Sequence, residues 1–251
     1  MNWNIIYYVL GRLVVAEAVV LCIPFFMALY GREESAPAFA VSILICVMMG
    51  TALRMHGRSG NEQLTMREGA AITGLGWMLA TFLGMLPYLL SGSLGFLDGL
   101  FESISGFTGT GATVMTSIET QPFSVLFWRM MTHWFGGLGI IVIFIALLPQ
   151  AGQSTIYMYN AETTGPTRDR VLPRLREMTR SLFTMYMVFT MTACLIYLGC
   201  GLSFLDAIAH AMSTLGTGGF SLYDDNAMHF DNPALESWMT FFMILAGGNF
   251  G

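Results

Sequence analysis

Charge is scarce in this chain. Only 11% of its 251 residues are Asp, Glu, Lys or Arg, against roughly 25% in an ordinary soluble domain, which excludes a globule with a water-exposed surface. Lysine is missing altogether, so all 11 basic residues are arginine. With a formal net charge of −5, no nucleic-acid partner is expected. The cysteines, Cys22, Cys46, Cys194 and Cys200, have no C-x-x-C spacing, which excludes a zinc site or a disulfide framework and leaves them as small core residues. The first ten residues carry no positive start and the apolar run after them is too long for a signal peptide, so this segment is expected to remain as a membrane helix. No Gly-Lys-Ser/Thr follows the glycine-rich stretch Gly106 to Thr113, which argues against a phosphate-binding loop.

What is abundant is apolar surface. Hydrophobic residues make up 55% of the chain, the mean hydropathy is +0.62, and 28 glycines lie largely inside the apolar stretches. That combination describes helices that sit in lipid and pack closely on one another. Spans are expected over residues 5–30, 38–55, 69–90, 123–148 and 181–200, each near the ~20 residues a bilayer requires. A sixth begins near Pro233 and runs to Gly251 without a polar stop, so the chain reads as a fragment. Arg54, Arg58 and Arg67 share one connection, and Arg168, Arg170, Arg174, Arg176 and Arg180 share another; the positive-inside rule makes both cytoplasmic. The opposite face carries Glu33, Glu34, Asp98, Glu119, Asp206, Asp224, Asp225 and Asp231 against Arg32 as its one clearly exposed cation, and would concentrate cations. The expected organisation is an N-terminal helix pair with its loop (1–68), a first unit (69–150), an Arg-rich linker (151–180) and an incomplete second unit (181–251).

Two segments do not suit a simple crossing. Phe96 to Thr113 and Phe204 to Ser221 each pair a half-length apolar stretch with a Gly/Thr/Ser cluster, and the flanking spans require each to enter and leave on the outer side. Irregular backbone at that depth is tolerated only where protein or a water-filled cavity covers it, so both should line something. The two are copies. Phe96-Leu97-Asp98 recurs as Phe204-Leu205-Asp206, Gly109-Thr110-Gly111 as Gly216-Thr217-Gly218, Pro122 as Pro233 and Gly136-Gly137 as Gly247-Gly248, about 110 residues apart. A half-helix entering from outside turns its negative C-terminal pole towards the membrane centre, with Asp98 or Asp206 suited to its positive pole. The Gly-Thr-Gly that follows has little bulk and accepts unusual dihedrals, so its carbonyl oxygens can turn inward and replace an ion's water shell. Pro122 and Pro233 suit the first turn of the next helix.

On these motifs the chain resembles the Trk/Ktr/HKT superfamily of potassium transporters, most closely its bacterial Trk-H type. Gly106 to Thr113 resembles the first filter of that family, Ser213 to Ser221 the second, and Trp134 to Gly139 the start of the first inner helix. The resemblance covers essentially the whole chain and implies an all-α membrane fold: two N-terminal transmembrane helices, then repeated span–pore helix–filter–span units, truncated in the second. It implies a potassium filter lined by Thr110, Gly111, Thr217 and Gly218 and flanked by Thr108, Gly109, Ala112, Thr113, Gly216 and Gly219. Gly109 and Gly216 depart from the Thr or Ser that family members often carry. The family arranges four units around one pore, so two units alone are not expected to conduct. It further implies no covalent cofactor, potassium as transported ligand, lipid around the helices, a homodimer, a cytosolic nucleotide-binding regulatory subunit and the bacterial inner membrane.

Other residues receive plainer readings. Arg129, in the fourth span, is expected to snorkel outward or pair with a carboxylate such as Glu119; Arg12 and Glu17 to lie near an interface or face protein; and His133 and His210 to be packed and hydrogen-bonded. Gly136-Gly137 and Gly247-Gly248 are read as close helix packing near the filters, and the loop Arg168 to Arg180 as a topology signal or a site for anionic headgroups. The alternative function is a secondary carrier with re-entrant hairpins for another cation or small solute. A membrane hydrolase would need Ser105 with His133 or Ser213 with His210, and no spacing supports either pair.

Overall fold

Helices that are apolar all round are stabilised by lipid rather than by one buried stripe, and the long ones here are of that kind. A computed structural model describes residues 1–57, 66–139 and 174–248, and every regular element among them is helical. The helices are α1 (Trp3–Gly31), α2 (Ala36–His56), α3 (Met66–Gly84), α4 (Leu86–Leu90), α5 (Phe96–Phe107), α6 (Phe123–Leu138), α7 (Arg174–Gly199), α8 (Phe204–Leu215) and α9 (Pro233–Ala246), with a 3-10 turn at Asn226–Phe230. Four stretches are long and apolar enough to cross a membrane: Trp3–Gly31, Ala36–His56, Arg67–Leu90 and Arg180–Gly199.

The expected spans correspond to these with local differences. The third breaks at Met85, because Pro87 in the first turn of α4 has no N–H to continue the ladder. Trp128 of α6 takes up a carbonyl freed there, its Nε1 donating to Gly84 at 2.8 Å. The fourth expected span is helical from Phe123 to Leu138; its remainder, with Arg58, Arg168 and Arg170, lies outside the described residues. Helix α7 already starts at Arg174, inside the stretch read as linker. Pro122 is the N-cap of α6 rather than a first-turn residue, whereas Pro233 does occupy the first turn of α9, capped by Asn232.

The N-terminal pair packs at small residues: a Cβ on Gly11 would stand 2.6 Å from the Gly50 carbonyl oxygen, so α1 and α2 touch backbone to backbone. The turn between them reaches across the fold. Glu33 accepts hydrogen bonds from the Ser124 backbone N–H (3.1 Å) and hydroxyl (2.5 Å), serving as a cap for α6 that Pro122 cannot supply. One apolar core gathers Phe39, Tyr88, Phe107, Trp128 and Met131; a second gathers Tyr186, Tyr197, Leu235 and Phe242 around Trp134. Helix α6 therefore joins both cores. Tyr186 of α7 donates to the Trp134 carbonyl at 3.0 Å, and Trp134 Nε1 donates to Thr190 at 3.0 Å.

Midway along α1, Glu17 is buried and neither carboxyl oxygen has a partner among the described residues. An unsatisfied buried polar group costs about 1–3 kcal/mol. Glu17→Leu should therefore raise the melting temperature of the detergent-solubilised protein, read by size-exclusion chromatography after heating. A lower melting temperature would show that the carboxyl has a structural partner.

Candidate functional site

The two half-length helices, α5 and α8, are followed by loops that run back along them. Each helix carries an acidic residue in its first turn, Asp98 or Asp206. Each loop is pinned by the same bonds at corresponding positions. Ser105 donates to the Ala112 carbonyl and Ser213 to the Phe220 carbonyl, both at 2.6 Å. Glu102 accepts from the Thr113 hydroxyl at 2.8 Å, and His210 Nε2 lies 3.1 Å from the Ser221 hydroxyl. The Met115 N–H then donates to Thr113 Oγ1, and the Tyr223 N–H donates to Ser221 Oγ, each at 3.1 Å.

These bonds fix the register of the repeat. Gly109 (φ 69°) and Gly111 (φ 73°) in the first loop match Thr217 (φ 60°) and Gly219 (φ 79°) in the second, all in the left-handed region. The structural counterpart of Gly111 is thus Gly219, and that of Thr110 is Gly218. The Gly-Thr-Gly letters alone align Gly111 with Gly218, one residue out, because the hydroxyl-to-carbonyl bonds decide the register.

Among the described residues, the carbonyls of Thr110, Gly111, Thr217 and Gly218 accept no hydrogen bond. The carbonyls that follow them are engaged: Ala112 and Phe220 by the two serines, and Gly219 by Asn226 Nδ2 at 3.1 Å. The loops also meet, since a Cβ on Gly111 would overlap the Gly218 carbonyl and one on Gly109 would come within 3.2 Å of the Gly216 oxygen. Thr108 and Thr110 share a hydroxyl hydrogen bond of 2.8 Å on the exposed side.

Helix α6 backs both loops. Cβ atoms on Gly106 and Gly136 would overlap Thr132 Oγ1 and the Phe107 carbonyl, and one on Gly137 would lie 2.8 Å from Gly216 Cα. Gly136-Gly137 are close-packing residues, as expected; Gly247 is different, its nearest neighbours being atoms of its own helix. His133 is fully buried against Gly218 and Phe220, with a ring-centroid distance of 4.2 Å to the latter. It is packed as expected, but neither ring nitrogen has a hydrogen-bond partner among the described residues. His210 is hydrogen-bonded as expected, its Nδ1 donating to the Asp206 carbonyl at 2.8 Å. Arg129 departs from its reading. It is 1% exposed, and its partner is Glu102 of α5, not Glu119, which accepts instead from the Asp224 N–H at 3.3 Å. Glu102 was the residue the sequence reading missed; its place one turn before Ser105 on the loop-facing side of α5 was the available signal.

The architecture is that of an all-helical integral membrane protein whose duplicated helix–loop units converge on unbonded main-chain oxygens. The chain belongs to the TrkH family of cation transport proteins, which it matches over residues 35–251. The family consists of transporters, not enzymes. The chain is similar to the Trk system potassium uptake protein TrkH of Escherichia coli strain K12, 34% identical over 254 residues, covering 100% of this chain and 53% of that protein. It is also similar to TrkG of the same strain, at 30% identity over 250 residues. The crystal structure of the potassium transporter TrkH from Vibrio parahaemolyticus superposes with a TM-score of 0.84 at 29% identity, covering 100% of this chain and 51% of that one. The chain thus spans about half the length of the relatives it matches.

Proposed function

We propose that the chain serves potassium uptake across the bacterial cytoplasmic membrane, with α5 and α8 as pore helices and the loops after them as filter strands. The carbonyls of Thr110, Gly111, Thr217 and Gly218 replace part of the potassium hydration shell; Thr108, Gly109, Ala112, Thr113, Gly216 and Gly219 flank them. The observation that carries this reading is a run of unbonded carbonyls in each loop, closed on its C-terminal side by carbonyls that side chains hold. Potassium uptake is the activity named for the relatives. Arg67 stands at the start of α3 and Arg174, Arg176 and Arg180 at the start of α7, so by the positive-inside rule both units enter from the cytoplasm, which suits parallel units around a pore better than the inverted repeats of a carrier.

Two strands enclose only part of an ion, so a ring needs two more, and the chain alone should not conduct. Lipid surrounds the long helices. A second copy and a cytosolic nucleotide-binding subunit are the partners we propose from the family resemblance. The test is Gly111→Ser in the complete reading frame, expressed in cells deficient in potassium uptake. A side chain at φ 73° against the opposite strand must displace it, and the potassium/sodium permeability ratio should fall by about tenfold, equivalent to roughly 1.4 kcal/mol. An unchanged ratio in a transporting variant would remove Gly111 from the filter.

A further inference from the structure

We propose that Arg129 is a positioning residue for ion selection: its guanidinium ties the two filter loops together, while Glu102 balances its charge beside the ion path. The inference rests on the filter reading above. Arg129 Nε donates to Glu102 Oε1 at 2.5 Å in the first unit, and Nη1 donates to the Ser221 carbonyl at 2.8 Å in the second. The guanidinium carbon also lies 3.6 Å from the centroid of the Phe220 ring. Phe220 is therefore held between Arg129 and His133, which stand one turn apart on α6.

On the other side, Glu102 accepts from the Thr113 hydroxyl and from the Val114 N–H at 3.0 Å. One arginine fork thus reaches the exit of the first loop through a carboxylate and the exit of the second directly. Arg129 and Glu102 are 1% and 0% exposed, so water does not loosen the bonds. The pair is not duplicated. His210 stands where Glu102 stands in the first unit, and Thr240 matches Arg129 in the sequence repeat; the Thr240 hydroxyl bonds only the Glu236 carbonyl of its own helix. Together with the Ile118 N–H bond to Asp224 Oδ1 at 2.6 Å, the Arg129 bond to the Ser221 carbonyl therefore ties the first unit to the second.

A lysine keeps the charge but is a point donor without the rigid fork, so it cannot hold both arms in the same way. In the complete chain, Arg129→Lys should fold to parental abundance and lower the potassium/sodium permeability ratio by about tenfold, the effect of losing one arm of a charged hydrogen-bond pair. Glu102→Gln keeps the shape and leaves the guanidinium uncompensated beside the ion path. It should raise the potassium concentration for half-maximal uptake by about tenfold, through repulsion of the approaching cation. The control is Gly111→Ser. If that variant lowers the ratio and Arg129→Lys leaves it within about twofold of the parent, the tie is wrong and the filter reading stands. If Gly111→Ser also leaves the ratio unchanged, the filter reading itself has failed. Loss of folded protein in both Arg129→Lys and Glu102→Gln overturns the proposal as well, because the pair would then serve folding and not selection.

Discussion

Alanine in place of Gly218 will lower the melting temperature in detergent, since overpacking a closed site costs about 1–3 kcal/mol, and on the filter reading proposed above it will also reduce potassium uptake by more than about tenfold. A Cβ at this position would overlap the His133 imidazole, which is fully buried. The ring has nowhere to go. Phe220 lies against it at 4.2 Å between centroids, and the α6 backbone that carries it is packed at Thr132 and Gly136 against Gly106 and Phe107. The strand must move, and Gly218 then leaves the height of Thr110, its counterpart in the first loop. The same geometry predicts rescue. His133→Ala removes the obstructing ring, so the double variant Gly218→Ala with His133→Ala should recover part of the melting temperature lost in Gly218→Ala alone, despite the cavity left beside Phe220. Parental stability of Gly218→Ala, or a double variant no better than the single, would show that the imidazole is not what fills the space behind this loop.

Much of the fold was legible because its signals are long. The all-round apolar character of Trp3–Gly31 and Ala36–His56 needs no tertiary information, and the duplicated Phe-Leu-Asp and Gly-Thr-Gly clusters placed the α5 and α8 units before any contact was known. What was not legible depends on side chains meeting across units. Letters align Gly111 with Gly218, but the Ser105 and Ser213 bonds to carbonyls align it with Gly219. An arginine in an apolar helix announces that it needs a partner without saying which carboxylate the packing brings near; Glu119 is an available acid on the loop before α6, whereas Glu102 is fully buried on α5 and reaches Arg129 only once α5 and α6 are packed. His133 looked like an ordinary packed histidine. That its nitrogens lack partners among the described residues follows from the absence of any side chain on Gly218 and Gly216, which lets the loop come too close for a donor or acceptor to stand between.

Removing Arg129 outright will cost more than any other single change among the residues discussed. Arg129→Met leaves Glu102 as a buried carboxylate with no counter-ion, and breaking such a pair typically destabilises by about 3–5 kcal/mol. The Ser221 carbonyl loses its donor as well. Replacing both partners should be milder, because a buried ion pair exchanged for apolar groups of similar volume is often close to neutral. Here the recovery will be incomplete. Glu102 also accepts from Thr113 and Val114, and Glu102→Leu leaves both donors unsatisfied, at about 1–3 kcal/mol each where water cannot reach them. The order of melting temperatures in detergent should therefore be parent, then Glu102→Leu with Arg129→Met, then Arg129→Met alone. Thr113 and Val114 are both exposed at their own positions, which moderates this residual loss. If the double variant is no more stable than Arg129→Met, the destabilisation comes from lost packing over Phe220 and not from the stranded charge. If it is more stable, the stranded Glu102 charge accounts for part of the loss in Arg129→Met, and the shortfall from the parent measures what the Glu102 bonds to the first loop contribute.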